Sequence, residues 1–356
     1  MKKWLKALIA LLILAVPLAA CSQKPAVKKQ AEVIQTPHKG TQFLMGTVVT
    51  LSVYNKGKAK AVDDGFARVK ALAAKVTVNQ KGSQVDAVNQ AAGKKPVQVS
   101  ADVFRLIQYA KRYSQRSEGA FDLAIGPVTS LWHIGFPDAR KPSQAEINAV
   151  LPLVHYQDVE LNAAKRTVYL KKKGMQLDLG GIAKGYIADE VVKVFKKDGV
   201  NTAIIDLGGN IFVMGHSPKA TNRPWTVGIQ DPKKPRGTAI GSVPAVNITV
   251  VTSGIYERNL IVAGHNYSHL MNPRTGYPFE NNLMGVSIVT KKSVDGDALS
   301  TATFDKGLRG GMAFIEKQKD AQAIFITKDK KVYISSGLKN KFQLFKDSGY
   351  QMATLK

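Results

Sequence analysis

The chain has 356 residues, 44% hydrophobic and 22% charged, a balance that excludes an intrinsically disordered polymer. Lys and Arg number 51 against 26 Asp and Glu, a net charge of +25, yet they are scattered among apolar periods without an aromatic-basic signature, which argues against nucleic-acid binding. A single cysteine excludes a disulfide scaffold.

The first element is Met1-Lys2-Lys3-Trp4-Leu5-Lys6, followed by an apolar run from Ala7 to Ala20 and then Cys21. Three lysines before 14 mostly apolar residues fit an export signal and fall short of a membrane span. Leu18-Ala19-Ala20-Cys21 is similar to a bacterial lipobox, in which the cysteine is acylated and becomes the mature N-terminus. The bland alternative is an uncleaved anchor with an incidental cysteine. The expectation is a lipoprotein signal peptide over 1–20, with Cys21 joined to membrane lipid on the extracytoplasmic face of the cell membrane. Loss of Lys2, Lys3 and Lys6 with the leader leaves +22, a sign suited to anionic lipid, wall polymers and a phosphate-bearing ligand. Residues 22–40, rich in Lys, Gln and Pro, read as a flexible tether, which leaves 41–356 as the folded domain.

Order is expected from Gln42, with one β-branched strand over 42–54. Helical spacing of Phe66, Val69, Leu72, Ala73 and Val76 predicts a helix over 63–76. Val103, Leu106, Ile107, Ala110 and Tyr113 predict another over 101–117, stopping near Gly119. Short strands follow at 167–170, 176–179, 203–206, 211–214, 225–229, 245–252, 285–289, 323–327 and 332–335. Helices are expected at 182–197, 298–306 and 311–317. Strands outnumber helices and rarely alternate with them, so the expected class is α+β, not a doubly wound sheet.

Four segments combine glycine, small polar groups and carboxylates at element junctions. Gly119-Ala120-Phe121-Asp122 follows a helix. It either presents backbone amides beside an apolar Phe121 wall or is a helix C-cap with Phe121 in the core. Asp178-Leu179-Gly180-Gly181-Ile182-Ala183-Lys184-Gly185-Tyr186 runs from a strand through paired glycines into a helix. Free amides and a positive dipole there suit a phosphate, whereas the bland reading is a tight strand–helix turn. Asp206-Leu207-Gly208-Gly209-Asn210 is more often a structural bend than a site. Asp297 and Thr301 lie four residues apart and share a helix face. Carboxylate plus hydroxyl is a hard oxygen set suited to Mg²⁺, although one Asp before a helix is usually a cap. His269, before Asn272-Pro273-Arg274-Thr275-Gly276, is either a base or an ordinary loop histidine.

In order, Met45-Gly46-Thr47, Gly119 to Asp122, Leu177 to Tyr186, Asp206 to Gly209, Thr252-Ser253-Gly254, His269 to Pro278 and Asp297 to Thr301 resemble the ApbE family. The resemblance covers about 43–338. It implies a flavin transferase that uses Mg²⁺ to move FMN from FAD onto a Thr or Ser hydroxyl of exported or membrane flavoprotein acceptors, releasing AMP. It also implies a core similar to the tunnelling (T) fold, an antiparallel sheet with helices, and a smaller α/β lobe. By the same resemblance Met45, Ala120, Phe121, Asp122, Gly180, Tyr186 and Met271 fall at flavin-dinucleotide positions. The Ala183 carbonyl, Asp297 and Thr301 would contact the metal, and His269 would be the base, with an ordinary imidazole pKa suited to neutral pH. Where many of these transferases carry an aromatic residue, this chain has Asn79. Some relatives with Asn there hydrolyse FAD to FMN and AMP, so FAD pyrophosphatase is the alternative outcome. A non-catalytic flavin-binding lipoprotein is the third reading, and the Asp297/Thr301 pair with His269 argues against it.

Overall fold

The computed structural model describes residues 32–355; the expected leader over 1–20, Cys21 and the tether as far as residue 31 lie outside the described residues. Strand β1 (Val33–Leu44) pairs antiparallel with β2 (Thr47–Asn55), with Leu44 opposite Thr47. Met45 and Gly46 therefore form a two-residue turn, with φ of 55° and 68°. Positive φ at both turn positions matches the twist of the paired strands. This corrects two expectations: the strand over 42–54 is two strands, and pairing begins at Val33, not near Gln42. Composition missed the early start because residues 33–40 are held by the main-chain ladder and by close packing. A Cβ on Gly40 would stand 2.5 Å from the Phe66 ring.

The remaining elements follow in order. They are α1 (Lys60–Val76), α2 (Gln84–Gln90), β3 (Val97–Gln98), α3 (Ala101–Arg116), α4 (Gly126–Trp132), α5 (Gln144–Val150), β4 (Val159–Asn162) and β5 (Thr167–Leu170). Then come α6 (Gly180–Lys197), β6 (Ala203–Leu207), β7 (Asn210–Met214), β8 (Trp225–Gln230), β9 (Ala239–Ala245), β10 (Ile248–Gly254), β11 (Asn259–Val262) and β12 (His265–Ser268). The chain finishes with β13 (Leu283–Thr290), α7 (Ser293–Asp305), α8 (Gly307–Glu316), β14 (Ala321–Thr327), β15 (Lys331–Ile334), β16 (Gln343–Leu344) and β17 (Gln351–Met352).

A nine-stranded sheet in the order β1-β2-β6-β7-β10-β13-β14-β15-β17 organises the fold, antiparallel throughout except for the last pair. Its strands alternate between two apolar faces, as a period of two requires. Phe212, Met214, Ala323 and Phe325 pack with the helices. Val213, Ile324 and Ile326 pack instead against Val227, Ile229, Ile240 and Val243 of the small β8–β9–β16 sheet. A separate apolar cluster around Trp132 joins α4, α5 and the β11–β12 hairpin. The architecture is α+β.

Helix α6 buries Ile182, Tyr186, Ile187, Val191 and Phe195 and ends where Gly199 takes φ of 78°. Val200 N donates to Phe195 O at 2.8 Å there, closing the last turn with a left-handed glycine cap. Helix α7 crosses α6 at Gly185, where a Cβ would fall 2.2 Å from Ser293 O and 2.8 Å from Asp297 Cβ. Only glycine permits that approach, and it brings two of the four segments together.

Some expected elements change. Residues 176–179 form no strand, because the Asn89 side chain takes the main chain of Leu177 through bonds of 2.7 and 3.1 Å. The strand expected over 245–252 divides at a turn where Asn247 has φ of 52°. Helices α4 and α5, seven residues each, are too short to show a full apolar period.

Candidate functional site

The site is built where the N-terminus of α6 meets α7. Leu179 precedes α6 without a side-chain cap, and Gly180 is exposed. Asp178 shapes the approach: its Oδ1 accepts from Gly180 N at 2.8 Å and its Oδ2 from Thr129 Oγ1 at 2.7 Å. A Cβ on Gly181 would lie 3.2 Å from both the Phe121 ring and Thr301 Oγ1. Phe121, Gly181 and Thr301 are therefore neighbours, although 180 residues separate the outer two in sequence. The Asp178 carboxylate holds Gly180 N, and Ile182 N turns back to Leu179 O at 3.0 Å, so of the first turn of this 18-residue helix Gly181 N–H is left to face a ligand, at the positive end of the helix dipole.

Asp297 is buried on α7, one turn before Thr301. Its Oδ2 accepts from Gly185 N at 2.8 Å. Burial pushes its carboxyl above the ordinary range, opposed by Lys184 and main-chain donors of α6. Asp297 makes no ion pair among the described residues. A desolvated carboxylate that has main-chain donors but no ion-pair partner still bears a cost, and a bound cation would relieve it. Among the described residues no cluster of three His, Cys, Asp or Glu side chains is placed to hold a metal. A cation at Asp297 would therefore take few protein ligands, which suits Mg²⁺ with ligand phosphates. The donor set of Asp297 and Thr301, with Ala183 on the facing turn of α6, fits such an ion.

Helix α7 is itself anchored. Asp189 Oδ1 and Oδ2 accept from Ser293 N at 2.9 Å and Val294 N at 3.0 Å, capping α7 from α6. Burial raises the Asp189 carboxyl to about 6. Ser293 Oγ also donates to Asn210 Oδ1 and lies 3.1 Å from Thr249 Oγ1. Sequence reading assigned Asp189 no role. Its one signal is the four-residue spacing from Gly185, which puts both on one face of α6.

His269 keeps some exposed surface, but its ring is enclosed by protein. Nδ1 stands 3.2 Å from Arg258 O, and a carbonyl only accepts, so Nδ1 carries the proton and Nε2 offers its lone pair. Burial first, then the charges of Arg258 and Lys184, push the imidazole down to about 4, and the bond to Arg258 opposes them. This replaces the ordinary value expected from sequence: the ring is neutral at pH 7. The positive charge of Lys184 is felt by Asp206 and Asp297 as well as by His269.

The other expected positions differ in setting. Ala120 and Phe121 are buried in the main core. Asp122 is buried with its oxygens accepting from Ala124 N at 2.8 Å and Tyr156 N at 3.1 Å. Tyr186 is buried against Tyr109 of α3, its hydroxyl without a partner. Met45, at the β1–β2 turn, packs on the main core, while Met271 belongs to the cluster around Trp132. Asn79 is exposed in the loop after α1, its N donating to Thr77 Oγ1 at 3.3 Å.

Burial raises the Asp122 carboxyl to about 6. Between the ordinary carboxylate value and that point, the folded protein binds more protons at this group than the unfolded chain does. Its contribution therefore falls as pH rises through that window. Asp122→Asn is expected to flatten this part of the profile, read as thermal midpoint against pH.

The ApbE family model matches residues 45–325. The FAD:protein FMN transferase of Klebsiella pneumoniae is 40% identical over 309 residues, spanning 87% of this chain and 95% of the relative. The FAD:protein FMN transferase of Treponema pallidum is 35% identical, spanning 83% of this chain and 86% of its own length. The solved structure of the Pseudomonas stutzeri flavinyl transferase ApbE superposes with a TM-score of 0.76 at 25% identity, covering 86% of this chain and 97% of that one.

Proposed function

This chain belongs to the ApbE family, and from that premise we propose that it transfers FMN from FAD to a Thr or Ser hydroxyl of an exported or membrane protein, releasing AMP. The observation that carries this reading is the meeting of the buried Asp297 carboxylate, which has no ion-pair partner among the described residues, the Thr301 hydroxyl and the Gly180–Gly181 start of α6. Asp297, Thr301 and the Ala183 carbonyl would hold Mg²⁺, which when bound supplies neutralisation of the charge that builds on the AMP leaving group. The glycine start of α6 would let the pyrophosphate approach the main chain, where Gly181 N–H faces it. Met45, Ala120, Phe121, Asp122, Gly180, Tyr186 and Met271 contribute to the flavin-dinucleotide site.

The bond changes are simple. The acceptor oxygen attacks the phosphorus of the FMN half, the pyrophosphate P–O bond breaks, and AMP leaves. His269 accepts the hydroxyl proton at Nε2 while Arg258 O holds Nδ1. The chain would work on the extracytoplasmic face of the membrane, held by acylated Cys21; the leader and lipobox support this. A second reading, hydrolysis of FAD to FMN and AMP, is favoured by exposed Asn79, which in place of an aromatic leaves water a path.

Incubation with FAD, Mg²⁺ and an exported flavoprotein acceptor separates the readings. Transfer is expected to give a covalent FMN mass on the acceptor, matched by AMP. Free FMN and AMP without an adduct would replace transferase by pyrophosphatase.

A further inference from the structure

Arg258 joins three loops that the chemistry needs in register. Its Nη2 donates to Gly46 O at 3.0 Å, in the β1–β2 turn beside Met45. Its side chain lies so close to Gly135 that a Cβ there would stand 2.9 Å from Arg258 Cδ. Its own carbonyl accepts twice from His269, from the main-chain N at 3.1 Å and from Nδ1 at 3.2 Å. The long planar guanidinium packs beside Gly135 and gives one N–H to a main-chain carbonyl, a reach that a shorter side chain lacks.

We propose that Arg258 is a positioning residue that locks His269 to the Met45–Gly46 turn, with Nδ1 held on its carbonyl and Nε2 left free to take a proton. The inference rests on His269 being the base. Two cations act on the imidazole: Arg258, which precedes β11 at the other end of the β11–β12 hairpin, and Lys184 from α6. Lys184 is shared with Asp206 and Asp297, whereas the Arg258 guanidinium is bonded to a neutral carbonyl, so its charge is not offset there. A nearby positive charge opposes protonation of imidazole. Arg258 thus does two separable things: it fixes where the ring sits, and it helps to keep the ring uncharged.

Two variants divide these effects. Arg258→Gln removes charge and reach; Arg258→Lys keeps charge but loses the fork. In Arg258→Gln the acid limb of kcat/KM is expected to move up by about one pH unit, with the same shift in the His269 NMR titration. Arg258→Lys is expected to leave both midpoints in place while lowering kcat. Assigning the His269 resonance by its loss in His269→Ala makes the titration independent of turnover. An unmoved midpoint in folded Arg258→Gln would overturn the inference. Should that variant not fold, a Lys variant with both wild-type kcat and wild-type midpoint would overturn it equally. If His269→Ala transfers FMN at the wild-type rate, the base reading fails. If His269→Ala is slow and the Arg258 variants are unaltered, only the role of Arg258 fails.

Discussion

Asp297→Ala is expected to abolish Mg²⁺-dependent FMN transfer, by on the order of 10³-fold or more. A metal on a transferring phosphoryl group is worth several kcal/mol, and each ~1.4 kcal/mol is tenfold in rate. The substitution also removes the buried bond from Gly185 N to Oδ2 at 2.8 Å that ties α6 to α7. That structural loss is about 1–3 kcal/mol and would depress stability as well. Asp297→Asn separates the two, because an amide oxygen still accepts from Gly185 while the negative charge is gone. Asn is expected to restore much of the thermal midpoint but not the turnover. A folded Asp297→Asn protein with wild-type Mg²⁺ response would make Asp297 a helix–helix strut and nothing more.

His269→Ala is expected to slow transfer to a hydroxyl acceptor by roughly 10²–10⁴-fold, the usual worth of a positioned general base. Binding of FAD should change far less, since the ring is placed to take a proton. The pH dependence carries an added test. Burial and the cations Arg258 and Lys184 hold the free imidazole near 4, so it is unprotonated throughout the neutral range. The acid limb of kcat/KM, which reports the free enzyme, should therefore lie well below the ordinary imidazole value and disappear in His269→Ala. A limb near the ordinary value would mean that His269 is more hydrated in solution than its enclosed ring implies.

The chemistry-bearing segments were legible in the sequence because each pairs glycine with polar groups at an element boundary. Asp297 and Thr301 could be placed on one helix face by spacing alone, and α7 carries both. Residues that hold the site through the fold were not legible. Asp189 caps a helix more than a hundred residues away, and Asn89 replaces a strand ladder at Leu177. Arg258 reaches back to Gly46 across 212 positions. Such bonds leave no local period, since neither partner's neighbours record where the other will lie.

The sequence by itself determined the α+β class, most of the helices and strands and the ApbE resemblance. Those follow from local spacing, turn chemistry and composition, which short stretches of chain carry. Tertiary structure alone decided the β1–β2 turn at Met45–Gly46, the crossing at Gly185 and the charge state of His269. The reason is physical. Burial and the field of distant charges set a titration, and close packing sets which glycine must have no side chain, so neither exists until the chain has folded.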